Sequence, residues 1–170
     1  MIATLTTENE LFKGFNAASK VWIYSSDKPI NDSMAKEINE KIALFTTQWT
    51  AHDVALKATG TVLYNRFIIL CVDESQTNAS GCSIDKSVHF IKQIEQGYGI
   101  QLFDRLTIYY LENGELASFH FNAISQKVES GEIDQQTKIF DATLTQLCAL
   151  RDGFIKEAGN SWLGRFITTV

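Results

Sequence analysis

From residue 20 onward the apolar positions fall into short blocks of changing period, and those changes mark the elements. Lys20 to Ser25 (KVWIYS) is β-branched and aromatic and predicts a first strand. After Pro29, the residues Asn31, Asp32 and Ser33 offer helix caps, and Met34, Ile38, Ile42, Phe45 and Trp49 then recur at helical spacing. Glu37 and Lys41 form a favourably oriented pair on the outer face of that helix. Two strands follow, Leu56 to Tyr64 and Arg66 to Asp73, with a turn at Asn65-Arg66. The second carries the apolar run FIILCV, which predicts a strand covered on both faces.

A polar loop, Glu74 to Gly81, leads into a second helix whose Ile84, Val88, Ile91, Ile94 and Tyr98 share one face, with Gly97 and Gly99 to end it. Thr107 to Leu111 and Glu115 to Phe121 flank Asn113-Gly114, a strong hairpin signal. Phe140, Leu144, Leu147 and Phe154 then predict a long helix from about Thr137 to Ala158.

The order β-α-β-β-α-β, with a further strand and a C-terminal helix, predicts an α+β fold: an antiparallel sheet of ferredoxin-like order with helices packed on it. Residues 1–19 are polar and weakly patterned and are expected to form an arm. No linker, repeat or low-complexity tract divides residues 20–170, so a single domain is expected there.

Composition narrows the partners. The 15 Lys and Arg are scattered and the net charge is −5, which speaks against nucleic acid. The longest unbroken apolar run, Phe67 to Val72, is far short of the ~20 residues of a membrane span. Residues 1–10 lack the pattern of a signal peptide. Cys71, Cys82 and Cys148 are an odd number without paired spacing, so a cytoplasmic location without disulfides is expected.

Candidate chemistry gathers at Ser80-Gly81-Cys82-Ser83-Ile84-Asp85. Small polar residues at a glycine turn opening a helix collect free backbone N–H groups at the positive end of the dipole, where an anion binds or a thiol is activated. Cys82 is then a candidate nucleophile. His52 or His89 is its candidate base, and Asp85, four residues before His89, an orienting carboxylate. Ser80, Gly81 and Ser83, with Asp73 and Glu74 at the end of the preceding strand, are candidate ligand contacts. The bland reading is equally concrete: Ser83 or Asp85 an ordinary cap, Gly81 the turn, Cys82 a small buried residue. Cys71 and Cys148 are expected in the core. Trp22 and Trp49 sit at core-facing positions, whereas Trp162 is either a lid or a plug. No ligand spacing such as C-x-x-C or H-x-x-x-H points to a metal, and no cofactor is expected.

Five segments together resemble a family of uncharacterised bacterial proteins of about this length: VWIYSSD (21–27), WTAHD (49–53), RFIILCVDE (66–74), ASGCSIDKSVHFI (79–91) and SWLGRF (161–166). Asp53 stands where that family has a glycine, and Leu163-Gly164 where a His-Ser pair is usual. Members are often labelled ABC-transporter ATPases, a label the residues here oppose. A phosphate-cradling loop needs G-x-x-x-x-G-K-[ST]. The glycine pair at that spacing, Gly159 and Gly164, is followed by Arg165 and Phe166. The expectation is therefore a domain that binds a small anionic ligand or a protein partner. The alternative is a thiol-dependent hydrolase or transferase using Cys82.

Overall fold

The structure is a computed structural model and describes residues 10–167. The chain is mixed helix and antiparallel sheet, so the α+β class holds. Its residues cluster into two compact units, one of residues 10–104 and 143–152, the other of residues 105–142 and 153–167. The part of the expected arm before Glu10 lies outside the described residues.

The first unit is built on a three-stranded sheet of β1 (Lys20–Ser25), β5 (Phe67–Asp73) and β4 (Lys57–Leu63), in that order and all antiparallel. Every residue of the central strand β5 is buried, as the FIILCV run predicts. Helices α1 (Asp32–Gln48) and α2 (Gly81–Tyr98) contribute Ile38, Ile42, Phe90, Ile91 and Ile94 to one core with Tyr24, Ile68, Leu70 and Val72 of the sheet. α1 comes close to β4 at Gly60. A Cβ there would lie 2.6 Å from the Ile69 carbonyl oxygen and 2.8 Å from the Ile42 Cγ2.

Caps fall where the sequence puts them: Asn31 Oδ1 accepts from Met34 N at 2.9 Å, and Gly99 ends α2 in the left-handed conformation. The turn between β4 and β5 spans Tyr64 to Arg66 and so contains the expected Asn65-Arg66, with Tyr64 and Asn65 at positive φ. A small ladder not foreseen from the sequence, β2 (Thr50–Ala51) with β3 (Val54–Ala55), turns through His52 and Asp53, both left-handed.

The buried face of α2 also differs from the expected one. Ser83 and Ser87 are wholly buried, while Ile84 and Val88 are half-buried. Each serine hydroxyl donates to the carbonyl three residues back, Ser83 to Ser80 at 2.8 Å and Ser87 to Ile84 at 2.7 Å. Their polar atoms are thereby satisfied within the helix, and burial carries little cost.

The sheet order β1-β5-β4 is the start of a ferredoxin-like arrangement, but the strand expected to complete it pairs elsewhere. The outer edge of β1 is covered by the segment before and into α4 (Leu147–Gly153). Val21 N donates to Thr145 O at 3.0 Å, Leu147 N to Ser19 O at 2.9 Å, and Lys20 bridges Gln146.

The second unit holds a four-stranded antiparallel sheet in the order β7 (Glu115–His120), β6 (Thr107–Glu112), β8 (Lys138–Phe140) and β9 (Ile155–Glu157). Asn113 and Gly114, with φ of 53° and 84°, make the predicted tight turn. A short helix, α3 (Ile124–Glu129), follows the hairpin and buries Ile124.

The single helix expected from Thr137 to Ala158 is not formed. Its apolar positions serve two three-residue strands and the seven-residue α4 instead. Lys138–Phe140 and Ile155–Glu157 pair with each other, with Asp141 and Lys156 joined at 2.9 Å beside them. The tail continues as two 3-10 turns, Ala158–Asn160 and Trp162–Phe166. Gly159 and Gly164 meet there: a Cβ on Gly164 would lie 2.5 Å from the Gly159 oxygen. Trp162, 36% exposed, stands beside Phe121 and Phe166 on the surface of this unit.

Candidate functional site

The loop that precedes α2 is committed to the fold. Asp73, at the end of β5, is buried, and its carboxylate accepts from Lys57 Nζ at 2.9 Å, Ser75 N at 3.1 Å and Asn16 N at 3.2 Å. The Lys57 ammonium, aided by the Ser75 N–H and hydroxyl, holds this carboxyl well below the usual carboxylate range. Lys57 also donates to Gly14 O at 2.8 Å, so Asp73 ties β4, the segment before β1 and the loop together. Glu74 accepts from Ala79 N at 2.9 Å and faces Lys20 at 3.6 Å. The two carboxylates proposed from the sequence as ligand contacts are thus occupied by the chain itself.

Ser80 and Ser83 are occupied in the same way. They form a reciprocal capping box, Ser83 N donating to Ser80 Oγ at 3.2 Å and Ser80 N to Ser83 Oγ at 2.7 Å. What remains exposed on this first turn is Gly81 and Cys82. The ordinary-cap reading therefore describes the serines, while Cys82 is a surface thiol and not a packing residue. Cys71 is buried as expected, and burial pushes its thiol up to about 12. Cys148 is half-exposed, because α4 runs along the edge of β1 and is not part of a long core helix.

Cys82, Asp85 and His89 do come together, on the wall of an open groove of about 630 Å³ that they share with Phe45, Gln48, Lys86, Phe90 and Gln93. They do not form a catalytic set. Cys82 and His89 are seven positions apart on the helix, about 10 Å along the axis, well beyond the reach of a nucleophile and its base. The His89 ring meets Gln93 Nε2 at 3.2 Å. His52 is exposed on the β2–β3 turn and does not line the groove. Among the described residues no three His, Cys, Asp or Glu side chains cluster tightly enough to hold a metal ion.

The groove continues along α1 and α2 as a second depression of about 530 Å³, bounded by Glu37, Lys41, Leu44, Gly97 and Tyr98 and sharing Phe45, Gln48, Phe90 and Gln93. Its floor is the stacked pair Phe45 and Phe90, with ring centroids 4.3 Å apart and planes within 4°. Leu44 stands beside them 62% exposed. The Tyr98 hydroxyl donates to Glu37 at 3.0 Å and closes one end. From Cys82 to Tyr98 the α2 wall spans about 24 Å at 1.5 Å per residue.

The α2 wall follows from helical spacing in the sequence. The α1 wall was missed, although Leu44 gives a local sign, being a large apolar residue off the stripe of Met34, Ile38, Ile42 and Phe45.

No family model, curated protein or solved structure matches the chain. No helix among the described residues is long and apolar enough to cross a membrane.

Proposed function

We propose that this chain is a non-enzymatic recognition domain, and that the groove between α1 and α2 receives a polypeptide segment carrying apolar side chains. The observation that carries this reading is Leu44, 62% exposed beside the stacked Phe45–Phe90 pair in an open channel. An enclosed cavity suits a small molecule, whereas two helices walling a long open trough suit an amphipathic helix laid between them. The walls carry Glu37 and Asp85 but also Lys41 and Lys86, so the groove has no sign that would select a polyanion.

Nucleotide hydrolysis forms no part of this reading. The glycines at P-loop spacing, Gly159 and Gly164, face one another across a 3-10 turn. The thiol-enzyme alternative has the exposure of Cys82 in its favour, but His89 lies about 10 Å along the helix from it and His52 does not line the groove.

The test is selection from a displayed random-peptide library on the folded chain, followed by amide chemical-shift mapping. Selected peptides should show apolar residues at i, i+3 or i+4 and i+7, shift amides of α1 and α2, and bind about tenfold or more weakly to Leu44→Asp, a change of at least about 1.4 kcal/mol. Peptides that bind Leu44→Asp as well as they bind the unaltered chain would overturn the groove as the site.

A further inference from the structure

Taking the groove between α1 and α2 as the binding site, and resting on that reading, we infer that Gly97 sets its specificity. The docked helix carries an aromatic ring that seats on the Gly97 backbone, and a carboxylate one turn away that meets Lys41.

Gly97 stands in the last turn of α2 and lines the depression of about 530 Å³, with Glu37 and Lys41 on the α1 wall. It does not end the helix, as Gly99 does. Apart from proline, glycine is the poorest residue for a helix, so its place there calls for a reason. Two reasons lie within a fold: a positive φ, as at Gly99, or a neighbour that leaves no room for a Cβ, as at Gly60. Neither holds at Gly97. Its φ is not positive, and a Cβ there would meet no atom of the described residues within 4 Å.

The fold would therefore accept a side chain here and be more stable for it. What glycine keeps is a notch in the groove wall. Gly97 follows Ile94 by three residues and Phe90 by seven, so the notch opens on the helix face that carries the apolar floor. Tyr98, whose hydroxyl donates to Glu37 at 3.0 Å, bounds the same depression. A flat ring suits the notch, because it covers exposed backbone and finds Phe45 and Tyr98 among the lining residues. Aromatic pairs contribute beyond the area they bury.

The charge beside the notch supplies the second feature. Helical spacing offers Lys41 to Glu37, but Glu37 takes the Tyr98 hydroxyl, and Lys41 makes no ion pair or hydrogen bond among the described residues. Its ammonium is left for a carboxylate of the occupant. Residues three or four apart share a helix face, which puts that carboxylate one turn from the ring.

A fluorescein-labelled peptide from the selection described above, titrated by anisotropy against variants of the full chain, tests this. Gly97→Leu fills the notch. It should raise Tm by about 1–4 °C and weaken the peptide about tenfold or more. Replacing the peptide's ring by alanine should cost about tenfold on the unaltered chain and nothing further on Gly97→Leu, the non-additivity of a direct contact. Lys41→Ala should weaken a carboxylate-bearing peptide by up to about fivefold at low salt and leave its amide counterpart unchanged. Should Gly97→Leu disturb the circular dichroism spectrum, Gly97→Ala replaces it in the same cycle. Peptides indifferent to Leu44→Asp, or a selection that yields none, would remove the groove reading and this inference with it. Peptides that weaken on Leu44→Asp yet bind the folded Gly97 variant as tightly as the unaltered chain would overturn the role of Gly97 alone. So would ring and Gly97 losses that simply add, and indifference to Lys41→Ala would overturn the carboxylate contact.

Discussion

Trp49, the residue that caps α1, donates its indole N–H to the carbonyl of Ser83 in the first turn of α2, at 2.8 Å and out of contact with water. The bond fixes the start of one groove wall to the end of the other. Trp49 also packs against Trp22 and Phe45, with ring centroids at 5.8 and 5.0 Å, so the aromatic floor and the helix junction are one assembly.

Trp49→Phe keeps a ring in this place but loses the donor and part of the packing. It should lower stability by about 1–3 kcal/mol, the range for a buried hydrogen bond with partial loss of side-chain volume. Urea denaturation measures this. Hydrogen exchange should show the loss concentrated at the first turn of α2. A variant within a few tenths of a kcal/mol of wild type would mean that the junction is held by other contacts.

Asp73 gives the fold an acid-sensitive joint. Its folded carboxyl ionises well below its ordinary range because the Lys57 ammonium and the Ser75 and Asn16 N–H groups bind the charged form. As pH falls below about 4 the unfolded chain takes up this proton first, so the contribution is complete above that pH and drains away below it. Asp73→Asn should therefore be less stable at pH 7 by about 1–3 kcal/mol. The gap to wild type should narrow steadily as pH is lowered from about 5 to about 2. A gap that is constant with pH, in urea midpoints across that range, would separate Asp73 from any such role.

The three thiols should separate by rate. Alkylation by iodoacetamide needs the thiolate, and a thiol pushed up to about 12 within a fully buried strand leaves Cys71 inert in the native protein. Exposed Cys82 should label first and half-exposed Cys148 more slowly, with all three labelling equally after denaturation. Mass spectrometry of timed samples reads the order directly. Native Cys71 labelling as fast as Cys82 would contradict the double-sided cover of β5.

Signals confined to one element were legible in the sequence. KVWIYS, FIILCV, the Asn31 cap, the Gly99 stop and the Asn113-Gly114 turn each act through neighbours in the chain, and each lies where it was expected. So does the α2 stripe that aligns Cys82, Asp85 and His89. What was misread depends on remote partners. Phe140, Leu144, Leu147 and Phe154 have helical spacing, yet Lys138–Phe140 finds its strand mate at Ile155–Glu157. Three residues are too few to leave a period of two. Buried Ser83 and Ser87 look polar in sequence and are apolar in effect only once their hydroxyls turn back on the helix. The groove needs α1 beside α2, which neither helix announces alone.

The sharpest local departure from turn chemistry is at His52-Asp53. Both residues hold positive φ, 49° and 63°, in a two-residue turn between β2 and β3, a geometry that favours Asn-Gly. A side chain in that region crowds the backbone, and glycine does not. Asp53→Gly should raise stability by about 0.5–1 kcal/mol, net of the extra freedom glycine gives the unfolded chain. That corresponds to roughly 1–4 °C in Tm for a chain of this size. Gly114→Ala is the converse experiment. Gly114 has φ 84° in a turn of the same kind, and a Cβ there would meet nothing within 4 Å. Any loss there is conformational and not steric, and it should be about 1 kcal/mol. Calorimetry on the two variants should therefore move Tm in opposite directions. An Asp53→Gly protein that melts lower than wild type would show that the aspartate side chain itself, and not the backbone it occupies, holds this turn.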